Sequence, residues 1–229
     1  MNTKNTFRKG ILALLVATTT LVACSKDSND NNKPEQPSTP HVTLKFDKQQ
    51  VAQRKATLTI VMKKESKAFI DLDGNLKMDE GEAIENEKTY SITTEEVKII
   101  GNELQGISYL YSDQLLSAEI AHPYIKEINI SQNPSLTSVK VSNAPLLKDL
   151  SIAYNPTLSQ VTLPADKKKI ANLKVLVIRR SQAIQNRLQL FKSLPDRKGK
   201  EKGKILHGGN FTNEEDDEVL ENLGWEAEW

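Results

Sequence analysis

The stretch IKEINISQNP at residues 125–134 returns 22 positions later as LKDLSIAYNP at residues 147–156. Ile125, Ile128, Ile130 and Asn133 map onto Leu147, Leu150, Ile152 and Asn155. A shorter copy follows each one, Leu136-x-x-Val139-x-Val141 and Leu158-x-x-Val161-x-Leu163, again 22 apart. A half-unit of 11 residues is therefore nested in a repeat of 22. The spacing places three apolar side chains inward from a short strand and its approach. One such unit cannot bury its own apolar surface, and stacking units does so.

The pattern runs outward in both directions. Upstream it reads Leu115-x-x-Ala118-x-Ile120, Leu104-x-x-Ile107-x-Tyr109 and Thr94-x-x-Val97-x-Ile99-x-x-Asn102. Downstream, after an insertion, it reads Leu173-x-x-Leu176-x-Ile178. Asn102, Asn133 and Asn155 fall where the chain turns, where an amide side chain can satisfy backbone groups that no ladder reaches. A β-sandwich of alternating strands would carry no fixed 22-residue register. The expectation is therefore a stacked-coil architecture.

The L-x-x-L-x-L-x-x-N skeleton resembles leucine-rich repeats. The Asn-Pro-x-Leu link between half-units resembles the short, internalin-like repeats of Bacteroidetes surface lipoproteins. The resemblance implies an α+β, mainly β fold. That fold is a leucine-rich-repeat solenoid of about 21–22-residue coils over 93–182. A small N-terminal β cap is expected over 41–92, where Val42, Leu44 and Phe46 alternate, as do Leu58, Ile60 and Met62. An α/β C-terminal cap is expected over 183–229. It holds a helix between Ala183 and Leu194, a strand at Lys204–Leu206, and a last helix capped by Thr212 or Asn213. The cap motifs SLPDRKGKEKGK, GGN and NLGW resemble the same lipoprotein group, departing from it at Phe211.

Residues 1–23 read as a signal peptide. Lys4, Arg8 and Lys9 precede 13 uncharged residues from Ile11 to Ala23, too few to span a bilayer. The run ends Leu21-Val22-Ala23-Cys24, and Cys24 is the chain's single cysteine. This resembles the bacterial lipoprotein signal, which implies cleavage before Cys24 and its lipidation. Loss of three basic residues and no acids takes the formal charge from +1 to −2. Residues 24–40 lack any large apolar side chain and read as a lipidated, disordered tether. Ser25-Lys26-Asp27 with Asp30 resembles an export signal of surface lipoproteins, so display at the cell surface is favoured over the periplasm.

Composition narrows the chemistry. One Cys excludes a disulfide framework, and three scattered His leave little for metal or imidazole catalysis. There is no phosphate-cradling Gly loop, nucleophile elbow or Cys–His pair, so an enzyme is disfavoured. Near-zero net charge and few aromatics disfavour nucleic acid. Residues 167–204 hold 13 Lys/Arg against two acids, while 213–229 hold eight acids and no base. The expectation is that these blocks are solvated faces of adjacent cap elements, with a basic patch for anionic glycan or lipopolysaccharide phosphate as the alternative.

Two sets of residues carry candidate binding. Asp71, Asp73, Asn75, Asp79 and Glu82 stand at positions 1, 3, 5, 9 and 12 of a calcium-loop spacing. Leu76 occupies the sixth position, where the sharp turn wants Gly, and Phe69-Ile70 reads as strand rather than helix. A metal-free hairpin tip on Asp73-Gly74-Asn75 is therefore favoured over structural calcium. The second set is a row of strand positions expected to face outward: Glu127, Asn129, Ser131, Asp149, Ser151 and Arg179, flanked by Gly106, Ser108 and Leu110. The expectation is a monomeric lipoprotein, anchored in the outer membrane, that binds a protein or glycan. A periplasm-facing structural or assembly lipoprotein is the alternative.

Overall fold

The computed structural model describes residues 39–63, 66–181, 183–208 and 212–228. Strand β1 is His41–Phe46, followed by the short helix α1, Lys48–Ala52, whose first turn is capped by the Asp47 carboxylate on the Gln50 N–H at 2.9 Å. Then come β2 (Thr57–Met62), β3 (Phe69–Asp71), β4 (Lys88–Ser91) and β5 (Glu96–Ile100). The repeat region supplies β6 (Gly106–Tyr111), β7 (Leu115–Ala121), β8 (Glu127–Asn129), β9 (Ser138–Val141), β10 (Asp149–Ser151) and β11 (Gln160–Thr162). A 3-10 turn at Lys167–Ile170 leads to β12 (Val175–Val177), α2 (Arg187–Lys192), β13 (Gly203–Leu206), α3 (Glu214–Asn222) and β14 (Trp225–Glu228). Among the described residues, no helix is long and apolar enough to cross a membrane.

The strands form two mixed sheets. Six strands run in the order β11-β9-β7-β1-β5-β3 and eight in the order β14-β13-β12-β10-β8-β6-β2-β4. Each sheet is parallel in one half and antiparallel in the other. In the six-stranded sheet the change falls at β7, parallel to β9 and antiparallel to β1. In the eight-stranded sheet the change falls at β6, parallel to β8 and antiparallel to β2.

This corrects the expected leucine-rich-repeat solenoid with separate end caps. The chain is mainly β with a few short helices, built as two mixed sheets rather than as a run of uniform coils. Residues 41–92, expected as a small cap, provide β1 to β4, and β1 and β2 lie inside the two sheets. The physical reason is that β1 and β2 are apolar enough to be buried between partners. Val42, Leu44, Leu58 and Ile60 are completely buried. The 22-residue offset is the register of the parallel halves, as in Glu127↔Asp149, Ile128↔Leu150 and Ser138↔Gln160. Such an offset fixes neighbouring parallel strands and says nothing of antiparallel strands that complete the same sheets.

Inward residues of both sheets join one apolar core. Ile107, Ile128, Leu150, Leu176 and Ile205 line up across the eight-stranded sheet, and Ala118, Val139 and Val161 across the other. At one corner the chain leaves the strands through Gln132, Tyr154 and Arg180, all with left-handed backbones at φ 66, 57 and 53. Each is followed by a buried polar residue, Asn133, Asn155 or Ser181. The Asn155 amide donates to the Ile130 and Ile152 carbonyls at 2.9 and 2.8 Å, and Asn155 Oδ1 accepts the Asn133 N–H. Asn133 repeats this on Leu110, Ser131 and Ser112. The ladder satisfies the corner's backbone groups where no water reaches them.

The C-terminal elements close the other end. Asn213 and Asp216 form a reciprocal capping box at the start of α3, and the buried Asp216 carboxylate pairs with Arg187 at 2.7 Å. Trp225 is buried and its indole N–H donates to the Pro195 carbonyl at 2.8 Å.

Candidate functional site

An open depression of about 280 Å³ lies on the outer face of the eight-stranded sheet, crossing β6, β8, β10 and β12. Its polar rim is Ser108, Glu127, Asn129, Asp149 and Ser151, with Val177 at one side. Register puts these side chains in stacked rows, because Glu127 is directly opposite Asp149 and Asn129 opposite Ser151. Parallel neighbours lie about 4.8 Å apart, so like charges meet. Glu127 is answered by Lys63, whose stem lies over Gly106, where a Cβ would come within 3.1 Å of it. Asp149 has no ion-pair partner among the described residues. Its burial, then the Glu127 charge, push its carboxyl above the usual aspartate range.

The expected outward row is brought together in part. Glu127, Asn129, Asp149 and Ser151 share the depression. Ser131 does not face out: it is buried, and its hydroxyl lies 2.9 Å from the Ser151 hydroxyl and accepts the Ala153 N–H at 3.1 Å. The reason is that the chain is already turning into the left-handed Gln132. Arg179 lies beyond the end of β12, next to the corner, and does not line the depression.

The repeat spacing places Tyr109 inward and Leu110 outward and gives Tyr111 no role, yet Leu110 is completely buried. The cause is a bulge. Val61 pairs with Tyr109 but Met62 pairs with Ile107, so Ser108 is the extra residue and the alternation reverses across it. The two tyrosine rings now share the outer face, parallel within 5° and with centroids 6.0 Å apart, beside Ser108. The Tyr111 hydroxyl donates to the Asp113 carboxylate, which pushes the phenol up to about 12. The one sequence hint is that this strand is apolar on both faces, with Leu110 between two tyrosines.

The acidic loop after β3 is the second place where the sequence concentrates chemistry. One carboxylate oxygen from each of Asp71, Asp73 and Glu82 lies within 4.8 Å of the others. Asn75 donates its amide to Asp73 at 2.9 Å and to Asp79, so all five expected residues join one loop. The expected hairpin tip is not what forms. β3 pairs with β5, and the loop returns to it through the single bridge Phe69↔Ala83. Asp73-Gly74-Asn75 is thus part of a twelve-residue wrap rather than a two-residue turn.

The opposed charge blocks face each other. Besides Arg187–Asp216, Lys192 reaches Glu215, Lys202 reaches Glu226, and Lys204 reaches Glu226 and Glu228. Pairing of this kind leaves less basic surface for an anionic glycan. Cys24 and most of the 24–40 tether lie outside the described residues. In comparisons with known proteins, no family model, no curated protein and no solved structure matches the chain.

Proposed function

We propose that the chain is a lipid-anchored module on the cell-surface side of the outer membrane, and that it binds a neutral glycan on the outer face of the eight-stranded sheet. The observation that carries this reading is the parallel Tyr109–Tyr111 pair beside the Glu127, Asn129, Asp149 and Ser151 depression. A sugar offers apolar C–H faces and a rim of hydroxyls. Aromatic rings accept the faces, and carboxylate and amide oxygens accept the hydroxyl protons. Strands hold these groups more firmly than loops would. Two carboxylates in the row favour a neutral ligand over an acidic one.

Display follows from the N-terminal reading. Cys24, the single cysteine at the end of the apolar run, takes the lipid. The test uses Cys24→Ser with radiolabelled fatty acid, and protease added to intact cells. Labelling should vanish in the variant, and the wild-type chain should be cleaved on intact cells. Protection from protease would favour the periplasm-facing structural role instead.

A further inference from the structure

We infer that the loop from Asp71 to Glu82 is a calcium site. The donors are oxygen only, which suits a hard cation. One oxygen from each of Asp71, Asp73 and Glu82 lies within 4.8 Å of the other two. A calcium ion holds oxygens at about 2.4 Å, so ligands on opposite sides of it stand up to about 4.8 Å apart. The exposed Asn75 links Asp73 to Asp79, its amide donating to both carboxylates.

The buried end of the loop points to the ligand. Asp71 is 1% exposed, and its Oδ1 accepts the Gly74 N–H at 2.9 Å while its Oδ2 has no partner. Glu82 is 4% exposed and each of its oxygens accepts a backbone N–H, from Leu72 and from Asp79. Among the described residues, no ion pair reaches Asp71, Asp73 or Glu82. A buried carboxylate with one oxygen lacking a donor, grouped with two more carboxylates, is costly unless a cation sits among them. A bound cation converts that repulsion into ligation.

The reversal that a Gly at the sixth position would make is made by Leu76 itself, at φ 61 and exposed to solvent. Gly74 and Gly81 supply two further left-handed turns, at φ 83 and 86. Flanking helices are replaced by β3 on one side and the Phe69↔Ala83 bridge on the other. Both hold the ends of the loop together, which is the service helices provide elsewhere.

The test is calorimetric titration of the mature, chelator-treated protein with calcium chloride and, at equal ionic strength, with magnesium chloride, each followed by thermal melts. Calcium should bind one to one with a dissociation constant of about a millimolar or tighter, and should raise the melting temperature. Magnesium, smaller and stricter in geometry, should produce less than about a tenth of the effect. Asp73→Ala, an exposed change that leaves the buried carboxylates in place, should fold and lose the calcium response. Asp71→Asn should raise the melting temperature without calcium and also lose the response, which a merely structural Asp71 would not do. Equal responses to the two metals, or calcium binding by Asp73→Ala as tight as the wild type, would overturn the site. The readout is the metal alone, so it stands apart from glycan binding.

Discussion

The backbone N–H of Asn133 donates to Oδ1 of Asn155 at 2.8 Å across a 22-residue offset, and both side chains are completely buried. The bond ties one chain level to the next at the corner where each level leaves its strand. Asn155→Ala would leave the Asn133 N–H and the Ile130 carbonyl without these partners. It should cost at least about 2 kcal/mol in urea unfolding. Gln160→Ala, on an exposed β11 position, should stay within about 0.5 kcal/mol. Asn155→Asp keeps the acceptor but sets a carboxylate against two carbonyls, so it should be worse at neutral pH than in acid.

Gly203 has no room for a side chain. A Cβ there would lie 2.4 Å from the Trp225 ring, and that ring is held by its own hydrogen bond to Pro195. Gly203→Ala should therefore cost about 1–3 kcal/mol and shift the tryptophan emission. An unchanged melting temperature would mean that the ring is free to move.

His122 is completely buried, and its Nε2–H donates to the Gly101 carbonyl at 2.8 Å. Burial holds its pKa below the ordinary 6.5. The unfolded state then binds the proton more readily, so this contribution to stability is present above about pH 6.5 and is lost as pH falls below it. Urea midpoints should drop between about pH 7 and pH 5, and His122→Gln should flatten that segment.

Asp149 has the opposite sign. Its raised carboxyl means that the folded state prefers the protonated form, so ionisation costs stability as pH rises through the folded value. Asp149→Asn should melt higher than the wild type at pH 7, with the gap closing as pH falls toward about 4. A lower melting temperature at neutral pH would show that Asp149 is ion-paired.

How much of this was legible follows from what each signal measures. The 22-residue spacing reads out which parallel strands are neighbours, because Ile128 and Leu150 do the same work one level apart. It cannot report how β1 and β2 enter, since antiparallel partners share no repeat. The Asn133 and Asn155 corner was readable from residue type, because few side chains can serve buried backbone groups of both kinds. Tyr109 was not, because alternation assumes an unbroken strand, and the extra residue at Ser108 inverts it. In the acidic loop the donor spacing was plain. What the sequence hid was that Leu76 adopts the left-handed turn and that the Asp71 oxygen is left without a partner.

The most direct test of the account is glycan binding by the outer face. The mature wild-type chain, Tyr109→Ala and Ser138→Ala are applied to a printed array of neutral and acidic glycans, and each hit is then titrated in solution. Ser138 lies on β9 of the other sheet and serves as the control. The wild type and Ser138→Ala should bind a neutral glycan alike. Tyr109→Ala should bind it at least about tenfold more weakly, a loss of about 1.4 kcal/mol, while remaining folded. Binding to no glycan, or equal binding by wild type and Tyr109→Ala, would contradict it.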